Sequence, residues 1–256
     1  MADTFHTKAG NDYRDALTEW LQNTRLISEA VYRLYGDYQK DGRVVFSDPS
    51  WPKPKSQGEF PLSQFTIQPI PLGVRMCDLL KSSWSAQFVQ LESLWEQYLQ
   101  DVVLELRHKD VAIFEPFCER EYMASLVRDV LMGSIEDIEE IKNEAATRFA
   151  TGITRLAWRD QWKQLKRLEV GLTDAAEKEP WFSQLDTYFE MRNCVIHRAS
   201  RPSQLLHQKT SYYSSKNIQV IEIWPQHLDY YRKQFIACLA YVEERIKAKY
   251  TKQKQR

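Results

Sequence analysis

Long stretches of this chain repeat apolar residues at spacings of three and four, the pattern of one buried face of an α-helix. The longest stretch covers residues 76–107, and its apolar face comprises Leu80, Trp84, Phe88, Leu91, Trp95, Tyr98, Leu99 and Val102. The same spacing occurs in residues 11–35, 149–168, 180–197 and 225–246, and residues 119–150 supply a further helical region. We therefore predict an all-α fold.

Proline marks the one long interruption of this helical pattern, with six prolines in residues 37–73. Residues 43–46 and 65–67 there, and residues 218–223 near the other end, are predicted as minor short strands. We place the domain boundary after the Pro-rich segment. This gives an N-terminal helical and Pro-rich extension over residues 1–75 and a helical domain over residues 76–256. The Pro-rich segment fits both a linker and an arm packed on the main body.

The composition narrows the class of protein. Hydrophobic residues make up 43% of the chain, no apolar run is long enough to span a bilayer, and the N-terminus is not typical of a signal peptide. The cysteines lie far apart, so we expect neither a disulfide framework nor a zinc site. We predict a cytoplasmic protein with no metal, no other cofactor and no membrane partner. The formal net charge of zero argues against coating nucleic acid by bulk electrostatics.

Three polar residues, Arg192, Asn193 and His197, interrupt the apolar run FEMRNCVIHR at residues 189–198. In a helical projection Arg192 falls near the middle of an apolar stripe, and Asn193 and His197 fall one turn apart at its margin. The stripe comprises Phe182, Leu185, Phe189 and Ile196, with Tyr188 and Val195 at its edge. Because arginine keeps its charge, Arg192 needs either a buried acidic partner or an anionic ligand in a cleft.

The Arg192-Asn193-x3-His197 pattern resembles the Arg-x(4–6)-His motif of HEPN-domain proteins. Residues 88–99, with Trp95, Glu96 and Tyr98, look like the first core helix of that family, and the similarity extends over residues 79–249. The resemblance implies an antiparallel helical bundle that acts as a metal-independent endoribonuclease, in toxin–antitoxin or phage-defence systems. It also implies a homodimer whose motif helices face one cleft, with an antitoxin or another defence protein as a further partner.

Each motif residue offers chemistry that RNA cleavage without a metal requires. His197 carries an imidazole, a group used in general acid or base catalysis, Arg192 carries a planar fork suited to phosphate oxygens, and Asn193 can orient the imidazole or bind the RNA backbone. Attack by the 2′-hydroxyl would leave 2′,3′-cyclic phosphate and 5′-hydroxyl ends. One histidine supplies only one of the two proton transfers, so a two-fold dimer would bring in a second His197.

Positive charge accumulates after the motif, since residues 192–220 contain no Asp or Glu. We predict a groove for RNA there, lined by Arg198, Arg201, Lys209, Tyr212 and Tyr213, with the tyrosines stacking on bases. An ordinary solvated loop is the alternative. A looser match, Arg201-x5-His207, lies in the same stretch, but Pro202 argues against a helix through it.

Two alternatives to catalysis stay open. His197 can act as a helix C-terminal cap, with Arg192 paired to a core carboxylate such as Glu92 or Glu96. The same basic cleft can also belong to a non-catalytic module that binds RNA, a nucleotide or a partner protein.

Overall fold

The structure of the protein, a computed structural model, describes residues 5–41, 72–109, 138–168, 170–209 and 220–253. Those residues form seven α-helices and one short 3-10 helix, with no strand among them. In chain order the α-helices are α1 (Lys8–Asp41), α2 (Leu72–Lys109), α3 (Ile138–Thr154), α4 (Trp158–Arg167), α5 (Pro180–His197), α6 (Gln204–Lys209) and α7 (Pro225–Gln253), and the 3-10 helix spans Asp174–Lys178. The predicted all-α fold is confirmed over these residues.

The strand predicted at residues 218–223 is wrong over its described part, because residues 220–223 pair with no other strand. Ile221 and Ile223 are buried, and the Ile221 N–H donates a hydrogen bond to the Ser200 carbonyl at 2.7 Å. The alternation of apolar residues therefore reflects burial of one side of a connecting segment, since a strand also needs a neighbour for its backbone. The strands predicted at residues 43–46 and 65–67 lie outside the described residues, as does the helical region predicted before residue 138.

Helix α2 lies at the centre of the core and packs against α1, α3, α5 and α7. The buried Trp95 of α2 shows this arrangement. Its ring centroid lies 6.0 Å from that of Tyr13 in α1. It lies 5.9 Å from the rings of Trp158 in α4 and Phe235 in α7. Burial of one such aromatic side chain stabilises the fold by about 2–3 kcal/mol, which explains why residues 76–107 are apolar around so much of the helix.

The N-terminal helix shares this core. Tyr13, Leu17 and Trp20 of α1 are buried, and the Trp20 indole N–H donates to the Gln87 carbonyl of α2 at 3.1 Å. The domain boundary placed after residue 75 stays a prediction, and it falls inside α2. Helix α1, assigned to the extension, packs as part of the same body as α2.

A buried carboxylate, Glu243 of α7, ties the start of α1 to the core. It accepts hydrogen bonds from the backbone N–H and the hydroxyl of Thr7, at 2.8 and 2.6 Å, and from the Tyr98 hydroxyl at 3.0 Å. Gly10 permits this close approach, because a Cβ there would lie 2.6 Å from Glu243 Cδ. Three elements that are distant in sequence thus meet at one acidic side chain.

In the described parts of the chain, no helix is both long and apolar enough to cross a membrane. Cys77, Cys194 and Cys238 are free cysteines there, the first exposed and the other two buried.

Candidate functional site

Helix α5 carries the motif and begins where the sequence predicts. Pro180 stands in its first turn, a position that suits the fixed φ of proline. The buried residues of the helix are Trp181, Phe182, Leu185, Asp186, Tyr188, Phe189, Met191 and Cys194. Ile196, which we expected on the apolar stripe, is 40% exposed. That expectation was wrong, because the buried face is turned toward Tyr188, Met191 and Cys194.

The neighbours α2 and α7 determine which side of α5 faces the core. The Tyr188 hydroxyl donates to the Phe88 carbonyl of α2 at 2.6 Å, and the Tyr231 hydroxyl of α7 lies 3.2 Å from Met191 Sδ. Because these contacts draw one side of α5 inward, Arg192 lies at the edge of the buried face rather than in its middle.

Arg192 forms a direct ion pair with the buried Glu92 of α2, through Nε and Oε2. The Arg192 side chain is 23% exposed and that of Glu92 is 8% exposed. Burial raises the pKa of Glu92 from 4.5 to about 7, although Arg192 opposes the rise; the charge of Glu96 adds to it. Of the two acidic partners named from the sequence, Glu92 is therefore the one that Arg192 contacts. A carboxyl group that can exchange its proton near neutral pH stands beside the motif arginine.

Glu96 follows Glu92 by one turn of α2 and is half-buried. Burial raises the pKa of Glu96 as well, again against the effect of Arg192. Among the residues that the structure describes, Glu96 has no hydrogen-bond donor in contact with it. The Arg192 guanidinium thus acts electrostatically on both carboxyl groups of α2 but is directly paired with Glu92.

Asn193 and His197 are both exposed, and their spacing of four puts them on one face of α5. The Asn193 side-chain oxygen accepts a hydrogen bond from Arg192 Nη1 at 3.2 Å. Because arginine is only a donor, this contact orients the Asn193 amide so that its NH₂ group stays available. His197 is the last residue of the helix.

The chain leaves α5 through a left-handed turn that contains no glycine. Ala199 and Ser200 have φ angles of 49° and 61°, a conformation that costs about 1 kcal/mol or more for a residue with a side chain. Backbone hydrogen bonds hold the turn. The Cys194 carbonyl accepts from the N–H groups of Arg198 and Ser200, at 3.1 and 3.0 Å, and the Ser200 carbonyl accepts from Ile221. The turn fixes the end of the helix and so the position of the motif histidine.

A cavity of about 420 Å³ opens beside the motif, and its wall includes Arg192 and Asn193 but not His197. Asp186, Glu190 and Asn193 also line it, at spacings of four and three along α5. His197, four residues after Asn193, therefore continues the same helical face beyond the cavity.

The cavity wall mixes charged and apolar groups. Its acidic residues are Glu92, Glu96, Asp186 and Glu190, and its basic residues are Arg155, Arg192 and Lys209. Leu156 and Leu205 stand at the wall with 36% and 47% of their surface exposed, while Trp158 and Phe189 contribute from the core. Charged residues thus make up about half of this wall, and the apolar side chains are a smaller part of it.

The predicted RNA-binding residues fall into three groups. Arg198 and Arg201 are exposed just after α5 and make no ion pair with the residues that the structure describes. Lys209 instead pairs with the buried Asp186 of α5 at 2.9 Å and lines the cavity. Tyr212 and Tyr213 lie outside the described residues.

The looser motif match does not form one helical unit. Helix α6 begins at Gln204, after Pro202, so Arg201 precedes the helix that contains His207. Arg201 and His207 therefore do not lie on one helix, as Pro202 predicts.

The cavity walls from α6 and from the turn before α4 were missed in the sequence. Nothing local marks Leu156 and Leu205, because their exposure beside a cavity depends on how distant helices pack. The Ser203 hydroxyl holds α6 in place: it accepts from the Leu206 N–H at 3.0 Å and contacts the Glu190 carboxylate of α5.

Within the described ranges, no three His, Cys, Asp or Glu side chains come together in a group able to hold a metal ion. Comparison of the chain with protein-family models, curated proteins and solved structures found no significant match.

Proposed function

We propose that this protein is an endoribonuclease that cleaves RNA without a metal ion, by attack of the 2′-hydroxyl, and acts as a toxin or phage-defence effector. One observation carries the proposal: Arg192 and Asn193 are hydrogen-bonded at the wall of a cavity, and His197 continues their helix at its exposed end. A guanidinium, an amide and an imidazole on one helix can bind a phosphate, orient it and transfer a proton.

The hydrogen bonds of Arg192 support a phosphate-binding role. Its Nε faces Glu92 and its Nη1 donates to Asn193, which leaves Nη2 for a phosphate oxygen. The ion pair holds the guanidinium in place before RNA binds, so less freedom is lost on binding. Arg198 and Arg201, exposed beyond His197, would attract the neighbouring phosphates.

The reaction needs two proton-transfer groups, and the protein offers two sources for the second. A two-fold homodimer would supply the partner's His197. Within one chain, Glu92 has a pKa of about 7 and can exchange a proton near neutral pH. Mixed dimers of His197→Ala and Arg192→Ala chains distinguish the two. Recovery of activity above either mutant alone supports a site shared between chains, and no recovery supports proton transfer within one chain.

The direct test is incubation of the purified protein with total RNA in excess EDTA. We expect cleavage by the wild type and a loss of at least a hundredfold in rate for His197→Ala. His227→Gln is the matched control, because His227 accepts a hydrogen bond from the Trp224 N–H and glutamine can do the same. Cleavage that requires added magnesium, or a His197→Ala variant as active as the wild type, would overturn the proposal.

A second candidate, a non-catalytic module that binds RNA or a nucleotide, is favoured by two specific observations. Arg192 already has a buried carboxylate partner, and His197 lies outside the cavity. Such a module would bind RNA in EDTA and release no cleavage products at any pH.

A further inference from the structure

One part of the cavity next to the motif suits a hydrogen-bond donor rather than a phosphate. Glu92 and Glu96 line it from α2, and an ionised carboxylate only accepts hydrogen bonds. Glu92 is occupied by Arg192, whereas Glu96 has no donor among the described residues. A phosphate placed against the Glu96 carboxylate would be repelled, whereas Arg192 remains the group that would bind phosphate. An occupant that donates two adjacent hydrogen bonds would satisfy Glu96.

The surroundings of Glu96 restrict the occupant further. Leu156, Phe189 and Leu205 line the same cavity and give its otherwise charged wall an apolar part on which a flat ring can pack. Asn193 also lines it, and its NH₂ group is a free donor because its oxygen faces Arg192. The site therefore combines an apolar part of the wall with a pair of acceptor oxygens and a separate donor.

We propose that this cavity binds a guanine base, and that Glu96 and Asn193 read its Watson–Crick edge. Guanine presents two neighbouring donors, N1–H and the N2 amino group, which match the two oxygens of one carboxylate. Its O6 is an acceptor for the Asn193 NH₂. The source of the guanine rests on the proposed function. The base would belong to a nucleotide of the RNA strand beside the cleaved phosphate, and it would turn out of its stack into the cavity.

The other bases fit this set of groups less well. Adenine and cytosine each offer one amino group beside a ring nitrogen that is an acceptor, and that acceptor would face the carboxylate. Uracil offers one N–H between two carbonyl oxygens. Guanine alone among the four pairs both carboxylate oxygens, and an unpaired acceptor opposite a carboxylate reduces affinity strongly.

The test uses calorimetric titration of the full-length protein with the 3′-monophosphates of guanosine, adenosine, cytidine and uridine. Inosine 3′-monophosphate is added because it lacks only the N2 amino group. We expect the guanosine nucleotide to bind at least tenfold more tightly than the other four, the range of discrimination that a bidentate base contact supplies. Glu96→Gln should remove that preference, because the amide can accept only one of the two bonds.

Two further variants keep the result independent of folding. Leu205→Trp alters an exposed residue and should block the cavity, so all five nucleotides should bind at least tenfold more weakly. Glu244→Gln, an exposed position on α7 away from the cavity, should leave the preference intact. Urea unfolding midpoints that match the wild type establish that each variant is folded.

The outcomes separate this proposal from the proposed function. Guanosine preference that disappears in Glu96→Gln supports the base site, even if the protein cuts no RNA; in that case the nuclease proposal fails alone. Equal binding of all nucleotides, or none, overturns the base site even if RNA cleavage in EDTA is intact. Preference that survives in Glu96→Gln also overturns it.

Discussion

Glu92 and Glu243 are both almost fully buried, yet their surroundings differ. Glu243 accepts hydrogen bonds from Thr7 and Tyr98 and is closed off by Gly10. Glu92 is paired with Arg192 and with no other residue that the structure describes, and it lines a cavity. A buried carboxylate surrounded by neutral donors has a structural role, since its oxygens accept hydrogen bonds from within the fold. A buried carboxylate beside an arginine and an open cavity leaves groups free for a ligand, which points to function.

The largest effect on stability should come from removing the Glu243 carboxylate. Glu243→Ala leaves the hydroxyls of Thr7 and Tyr98 buried without an acceptor and detaches the start of α1. We expect a loss of about 3 kcal/mol in the free energy of unfolding, measured in urea. Glu244→Ala, at the exposed neighbouring position, is the matched control and should change stability by less than about 0.5 kcal/mol. Equal effects at the two positions would contradict the structural role of Glu243.

The environment of Glu92 should make the stability of the protein depend on pH. Because folding raises the pKa of Glu92 from 4.5 to about 7, the native protein holds a proton that the unfolded chain releases within that window. Glu92 therefore contributes stability below pH 4.5 that is lost as the pH rises through 7, by about 2–3 kcal/mol. Glu92→Gln lacks this group. The difference in unfolding free energy between the wild type and Glu92→Gln should therefore depend on pH. It should favour the wild type by about 2 kcal/mol more at pH 4.5 than at pH 8.

Urea unfolding of both proteins at several pH values measures this difference and cancels the contribution of all other groups. Glu244→Gln should follow the wild-type curve throughout. A constant offset between Glu92→Gln and the wild type would show that Glu92 has an ordinary pKa in the folded protein.

The smallest effect on the fold should come from the exposed arginines after α5. Replacing Arg198 and Arg201 with Glu should change the unfolding free energy by less than about 0.5 kcal/mol. It should also weaken RNA binding and make that binding less dependent on salt, with the single-turnover rate at saturating RNA unchanged. Arg25→Glu with Lys247→Glu, exposed on α1 and α7, is the matched double change. If the rate falls while affinity is kept, Arg198 and Arg201 belong to the catalytic site instead.

Helices were predictable from this sequence because the spacing of apolar residues directly reflects which face is covered. The rotation of α5 was not, since Ile196 and Met191 differ in burial only through the placement of α2 and α7. Likewise, the isoleucines at positions 221 and 223 alternate like a strand, but no neighbouring strand is present in the described residues to pair with them. The local spacing of apolar residues indicates whether a segment forms a helix or a strand. Which other segment it packs against depends on the whole chain.

Some residues of the candidate site were likewise predictable from the sequence, and others were not. The sequence identified Arg192 and named Glu92 as one of two acidic partners, because a charged residue in an apolar run requires one. It could not identify Leu156 or Leu205 as part of the cavity wall, since a leucine in the sequence does not indicate whether it lies in the core or beside a cavity. The place of Asn193 in the cavity wall likewise depends on how the helices pack around it.

A pair of short RNA oligonucleotides tests whether the end of α5 cleaves RNA through the 2′-hydroxyl. Both carry a sequence that the wild-type protein cuts in EDTA, and one has a single 2′-deoxy nucleotide at the cut position. We expect the all-ribose strand to yield a 2′,3′-cyclic phosphate and a 5′-hydroxyl, and the deoxy-substituted strand to remain uncut there. Cleavage of the substituted strand at that position, 5′-phosphate products, or the absence of any RNA that the protein cuts in EDTA would show that the end of α5 does not cleave RNA through the 2′-hydroxyl.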